Sequence, residues 1–263
     1  MVNSNTSWGK VAGWYNQLLE EGEDTYQEKV IKPNLLRLLN ISPGENIIDI
    51  GCGQGYFSRE LAKAGAKVLG VDIGAELISL AKTQSGKNES YLVLSAEKLN
   101  GIADNRFDAA ICILALQNMK NLPAAIGEMS RVLKPGGRAV LVLNHPTFRV
   151  PGASNWDYDE KQKVQYRRID GYMSEITQAV DMTQGVKEMR NKKFTYSFHH
   201  PLQVYFKAFY KSGLVVSRLE EWISHKTSDK GARKLAEDKA RKEIPLFMCI
   251  EVRKTADTRM QAG

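Results

Sequence analysis

The residues with the clearest chemical use are an acid two positions ahead of alternating glycines and a second acid at the end of the next apolar run. The first group is Asp49, Gly51, Gly53 and Gly55 in "IIDIGCGQG", and the second is Asp72 in "KVLGVDI". Glycines between a strand and a helix leave bare backbone and a helix N-terminus at the carboxyl edge of a sheet, where open α/β folds bind ligands. A dinucleotide site needs G-x-G-x-x-G, and Tyr56 stands where its third glycine would be. Asp49 is a poor neighbour for a pyrophosphate and a good one for an ammonium group. Asp72 can accept both hydroxyls of a ribose, Ile73 can pack on a purine face, and "SAEKL" (Ser95, Ala96, Glu97) can reach an adenine edge. The pattern points to a nucleoside that carries an amino acid.

Such a site needs strand ends to hold it. Apolar runs with helical stretches between them predict a βαβ layer structure with a largely parallel sheet, a three-layer αβα sandwich. The strand candidates are 46–50, 67–73, 90–95, 107–115 and 138–144. The stretch "LPAAIGEMSRVLKPGG" reads as a helix stopped at Pro135, Gly136 and Gly137. Upstream, "WGKVAGWYNQLLEEG" and "YQEKVIKPNLLRLLNI" read as helices, the second interrupted near Pro33. Downstream come a helix ending at Gly213, a strand "LVVSRLEEWI" and a last strand within 244–254.

Residues 145–201 break the alternation with a long segment rich in aromatics, its second half patterned as a hairpin on either side of Gly185. A connection this long predicts a cap or lid. The expected organisation is therefore 1–144 for N-terminal helices and cofactor part, 145–201 for the cap, 202–254 for completion of the sheet, and 255–263 as a flexible tail.

The glycine loop "IIDIGCGQG", the acid of "VLGVDI", "LSAEKL", "FDAAICILALQNM" and "MSRVLKPGGRAVLV" together resemble the class I S-adenosylmethionine-dependent methyltransferases, over roughly Ile47 to Asn144. The resemblance implies a Rossmann-like seven-stranded sheet with the last strand antiparallel, and S-adenosylmethionine as cofactor, leaving as S-adenosylhomocysteine. It assigns cofactor contacts to Asp49, Gly51, Cys52, Gly53, Asp72, Ile73, Ser95, Ala96, Glu97 and Leu114, with Tyr15 reaching over from the N-terminal helix. The adenine loop of the family usually opens with Asp, and Ser95 stands there, which shifts adenine recognition onto Ala96 and Glu97. The cap resembles that of members that modify small, aromatic or otherwise apolar molecules. His145 after the fifth strand is the first candidate base and His199 the second; Trp156, Tyr158, Tyr166 and Tyr172 are candidates to line the acceptor pocket or to form the core of the cap.

Several chemistries are excluded. "LALQNMKN" lacks the Asn/Asp-Pro-Pro-Tyr of enzymes that methylate amide-like base nitrogens. Cys112 and Cys249 sit mid-strand, so no nucleophilic Cys serves cytosine chemistry, and no carboxylate cluster follows the fourth strand to hold magnesium. No metal is expected. Three scattered cysteines, an N-terminus without a basic and apolar leader pattern, and no apolar run of roughly 18 residues predict a soluble cytoplasmic protein with no membrane contact.

The net charge of +7 keeps nucleic acid as an alternative partner. The basic clusters are Arg167-Arg168, 187–193 and 230–243, the last interleaved with Glu237, Asp238 and Glu243 like a solvated helix. The expected function is methyl transfer to oxygen or nitrogen of a small molecule. The alternatives are an RNA methyltransferase, or a non-catalytic binder of the cofactor or its product that acts as a homodimer through the cap.

Overall fold

The computed structural model describes residues 24–181, 192 and 194–256. Tyr15, the first helical reading, the turn around Gly185 and most of the 187–193 basic stretch lie outside them.

The helical run before the sheet is continuous where an interruption was expected. A π-turn at Gln27–Ile31 passes directly into α1 (Lys32–Leu39), and Ile31 and Lys32 both keep right-handed helical dihedrals. Pro33 sits in the first turn of α1, and the wider winding ahead of it absorbs the missing N–H.

The sheet then builds in βαβ steps: β1 (Asn46–Ile50), α2 (Tyr56–Lys63), β2 (Lys67–Asp72), α3 (Ala75–Thr83), β3 (Glu89–Val93), β4 (Phe107–Ile113), α4 (Leu122–Val132) and β5 (Leu133–Asn144). Strand β5 begins at Leu133 rather than Arg138. Lys134 precedes Pro135, a position that disfavours the helical region, so the chain turns extended (Leu133 ψ 140°) before the glycines are reached.

Two hairpins follow outside the main sheet, β6 (Ser154–Asp159) with β7 (Val164–Ile169), and β8 (Ile176–Asp181) with β9 (Phe194–His199). The chain then returns through α5 (Leu202–Lys211), β10 (Leu214–Trp222), α6 (Lys234–Glu243) and β11 (Phe247–Lys254).

The seven main strands lie in the order β10-β11-β5-β4-β1-β2-β3. Strand β11, last in sequence, is inserted between β5 and β10 and runs antiparallel to both; the other neighbouring pairs are parallel. Alternation divides each strand between two cores. Ile48, Ile50, Val71, Cys112 and Leu141 pack with α4 and α5 on one face. Ile47, Val68, Ile111, Val140 and Val142 pack with α1 and α2 on the other. Covered on both faces, the sheet exposes chemistry only at its strand ends.

Candidate active site

A cavity of about 330 Å³ opens at the carboxyl ends of β1, β2 and β4. It is lined by the glycine loop (Gly51, Gly53), Asp72 and Ile73 with the Ser95–Glu97 loop, and by Ile113, Leu114, Met119, Tyr196 and Phe198. The first set contributes backbone and carboxylates, the second apolar and aromatic surface.

The glycine loop is wound tightly over β2. Gly51 and Cys52 both donate their N–H to the Val71 carbonyl, at 2.8 and 3.0 Å, and Gly53 donates to Asp72 Oδ2 at 3.0 Å. These amides, which a bound pyrophosphate would require, are consumed inside the protein. What the loop offers instead is close approach. Gly51 has φ +76°, and a Cβ there would lie 2.5 Å from Ala115 Cβ. Gly55, at φ +83°, is overlain by the Tyr91 ring, whose hydroxyl would be 2.6 Å from an added Cβ. This excludes a phosphate cradle and suits a ligand of modest charge.

Asp72 is held by two amides, because Oδ1 also accepts from Gly74 N–H at 2.7 Å, at the start of α3. Burial raises its carboxyl above the ordinary range, and the Gly74, Gly53 and Ile73 amides oppose the rise. Each oxygen keeps capacity for a second donor, which is what a ribose diol supplies. The Ser95 hydroxyl accepts from Glu97 N–H at 3.2 Å, and Glu97 Oε1 accepts from Asn121 N–H at 2.8 Å. Ser95 therefore shapes the loop, leaving Ala96 and the other Glu97 oxygen to meet a base. Leu114 has φ +54° at the tip of β4, strain of a kind that collects at binding sites. Its carbonyl accepts from Asn118 Nδ2 at 3.2 Å.

The comparisons agree with this geometry. Residues 48–141 match the family described as methyltransferase domain. Over those residues the chain is similar to S-adenosylmethionine-dependent methyltransferases. A demethylmenaquinone methyltransferase of Corynebacterium kroppenstedtii is 35% identical over 131 residues, 49% of this chain and 53% of that one. A malonyl-[acyl-carrier protein] O-methyltransferase of Pectobacterium atrosepticum is 34% identical over 50% of this chain and 49% of its own. The chain thus spans about half the length of the curated relatives it matches. A crystal structure of an S-adenosylmethionine-dependent methyltransferase from Mesorhizobium loti superposes with a TM-score of 0.67 at 25% identity, covering 84% of this chain and 96% of that one.

The cavity gathers Gly51, Gly53, Asp72, Ile73, Ser95, Ala96, Glu97 and Leu114, all sequence candidates. Asp49 and Cys52 do not line it. Asp49 is buried below the loop, where Oδ2 accepts from Ser58 Oγ at 2.6 Å. It supports the loop and the start of α2 rather than facing the cavity directly.

Burial pushes the Asp49 carboxyl up to about 7, with Ser58 opposing the rise and the Asp72 charge adding to it. In the unfolded chain this group titrates near ~4. Between those values the native state holds a proton that the unfolded state has lost, so this group's contribution to stability falls as pH rises from ~4 to about 7 and then levels off. Thermal unfolding from pH 4 to 8 should therefore show a Tm difference between Asp49→Asn and wild type that widens in favour of the variant as pH rises. A difference flat with pH would refute an elevated Asp49.

Both histidine candidates are placed elsewhere. His145 was expected to face the acceptor; it is buried and outside the cavity lining, with Nε2 2.7 Å from Glu221 Oε1 and Nδ1 accepting from Thr147 N–H at 3.3 Å. Burial holds its pKa below the ordinary histidine value. A neutral ring with both nitrogens engaged is a tie between β5 and β10, because β11 brings these strands together. His199 lies at the end of β9 with Nε2 2.8 Å from the Tyr172 carbonyl.

Tyr196 and Phe198 were missed by the sequence reading, although the period-two alternation of "YSF" puts them on one face. His200, one residue past β9, is buried and outside the cavity lining, with no hydrogen-bond partner on either ring nitrogen among the described residues; Nδ1 lies 3.7 Å from Glu175 Oε1. The four aromatic candidates, Trp156, Tyr158, Tyr166 and Tyr172, do not line the cavity.

Proposed function

We propose that the chain binds S-adenosylmethionine in this cavity and transfers its methyl group to a small apolar acceptor seated against Tyr196 and Phe198. One observation carries the reading: a single cavity is lined both by Asp72 and the glycine loop, suited to a nucleoside, and by apolar and aromatic side chains suited to an acceptor. Asp72 would hold the ribose, Ile73 and the Ala96–Glu97 loop the adenine, and the Gly51–Gly53 backbone the amino-acid end. The bound cofactor supplies an electrophilic methyl group on sulfur.

The chain's own contribution is alignment and exclusion of water. Among the described lining residues the ionisable side chains are Asp72, Glu97, Lys120 and Tyr196. Asp72 and Glu97 are engaged by backbone amides, so the described site favours an acceptor that is already nucleophilic over one needing a strong base. The relatives' names, demethylmenaquinone methyltransferase among them, point to the same substrate class. The basic-face alternative is less well supported: Arg167 donates Nε to the Phe148 carbonyl at 2.8 Å, and Arg168 pairs with Asp170 at 3.0 Å.

Calorimetric titration with the cofactor, followed by measurement of S-adenosylhomocysteine release with quinols, phenols and RNA, tests the proposal. Release with a small aromatic acceptor is the expected result. Binding without release from any acceptor would leave a cofactor-binding protein, and salt-sensitive release with RNA alone would overturn the acceptor class.

Phe198→Ala removes an aromatic wall whose burial against a ligand is worth ~1.5–3 kcal/mol. Acceptor KM should rise about tenfold or more while cofactor Kd stays within about threefold of wild type. Equal loss of both in steady-state and binding assays would place Phe198 at the cofactor instead.

A further inference from the structure

Among the described residues that line the cavity there is one cation, Lys120. Its side chain makes no hydrogen bond or ion pair with any described residue. Lysines elsewhere show the usual alternative: Lys134 Nζ lies 2.5 Å from Asp108 Oδ1, and Lys234 Nζ lies 2.5 Å from Asp238 Oδ2. The two acids that share the cavity with Lys120 are turned to backbone instead. Asp72 accepts from Gly53 and Gly74 N–H, and Glu97 Oε1 accepts from Asn121 N–H.

The chain also sets Lys120 close to the aromatic lining. Lys120 comes two residues after the single turn Leu116–Asn118 that follows β4, and β9 packs against that turn. Tyr196 and Phe198 belong to β9 and line the same cavity as Lys120. An unpaired lysine on an open surface is simply solvated. This one shares its space with Leu94, Ile113, Met119 and Phe198. A ligand seated on that apolar surface displaces water, so a charge on the ligand is felt more strongly by the ammonium than it would be in solvent.

We propose that Lys120 selects an acceptor bearing an ionised oxygen on an aromatic ring, and that the methyl group goes to that oxygen. The proposal rests on the reading of this cavity as the site of methyl transfer, and narrows its acceptor to the phenolate class. On binding, the acceptor O–H gives its proton to solvent, because a cation nearby favours the anionic form. An oxygen lone pair then forms the new C–O bond as the carbon–sulfur bond breaks and its electron pair stays on sulfur. The negative oxygen and the positive sulfonium end as a neutral ether and a neutral thioether. Lys120 supplies charge and position and takes up no proton, so the step needs no base among the lining residues.

The test uses the full chain saturated with S-adenosylhomocysteine, so that no transfer occurs. It is titrated with para-nitrophenol, whose ionised form is read by its visible absorbance, and with para-nitroanisole as the neutral counterpart. Loss of one charge-assisted hydrogen bond in Lys120→Met should weaken phenolate binding about tenfold, and the ionisation midpoint of the bound phenol should rise by about one pH unit, the same quantity by linkage. Binding of para-nitroanisole should stay within about twofold of wild type. Lys120→Arg should keep the wild-type midpoint. Tm should not change in either variant, because Lys120 is exposed.

An unchanged midpoint in Lys120→Met overturns the proposal. So does equal loss of both probes, which would mean a packing role, or a loss of about tenfold in S-adenosylhomocysteine affinity, which would assign the ammonium to the carboxylate of the cofactor. Wild type that binds S-adenosylhomocysteine but neither probe overturns this proposal alone. Wild type that binds none of the three overturns the methyl-transfer reading with it.

Discussion

Replacing Asp72 with alanine should weaken S-adenosylmethionine binding by about 100-fold or more. Charge-assisted hydrogen bonds are worth ~1.5–3 kcal/mol each, and a carboxylate that takes both ribose hydroxyls loses two of them. The same substitution removes the acceptor of Gly53 N–H and of Gly74 N–H, so the glycine loop and the start of α3 lose a common anchor. The apo protein should therefore also lose ~1–2 kcal/mol of stability, the size of a missing helix cap. Its two amide partners give Asp72 a part in the fold beside the one proposed toward the ligand. Asp72→Asn keeps one acceptor oxygen and should fall between the two in affinity. Calorimetry and thermal unfolding on the three proteins check this, and a cofactor Kd for Asp72→Ala within about threefold of wild type would remove residue 72 from the site.

The second large effect is expected at Gly51. Alanine there meets two costs at once, a left-handed φ of +76° and an added Cβ 2.5 Å from Ala115 Cβ. Left-handed backbone costs a non-glycine residue about 1 kcal/mol, and the overlap has to be relieved by moving the β4 tip, where Leu114 is already strained at φ +54°. Gly44 supplies the control, because it has φ +81° with nothing within 4 Å of an added Cβ. Gly44→Ala should lower Tm by only about 2–4 °C, the shift for ~1 kcal/mol in a domain of this size. Gly51→Ala should lose about 5–10 °C and at least tenfold in cofactor affinity, since the displaced tip lines the cavity. If both variants behave alike in thermal unfolding and cofactor titration, the close approach of the β4 tip to the loop does not matter to the site.

These two cases show which parts of the molecule were legible from the residues. The glycine loop, Asp72 and the Ser95–Glu97 loop each follow directly on a strand, so their relation to the sheet edge was written in local order and survived folding. The helix stop at Pro135 was legible in kind but displaced in position, because the residue before proline leaves the helical region sooner than the glycines require. The continuous winding through Pro33 was not legible, since a π-turn gives no strong mark in composition.

Side-chain direction was the harder problem. Whether Phe198 or His199 turns to the cavity depended on the pairing of β9 with β8, and it is Phe198 that lines it. His145 was placed correctly after the fifth strand, yet its partner Glu221 is 76 residues away on β10. Nothing local announces that pairing.

By itself, then, the chain's order of residues determined the layered α/β architecture and the end of the sheet at which the cavity opens, because periodicity and turn chemistry act over a few residues. Tertiary structure decided what else lines the cavity. Tyr196 and Phe198 reach it only through contacts between segments far apart in the chain. Burial and neighbouring charge, which fix whether a histidine is a tie or a base, exist only once those segments have packed.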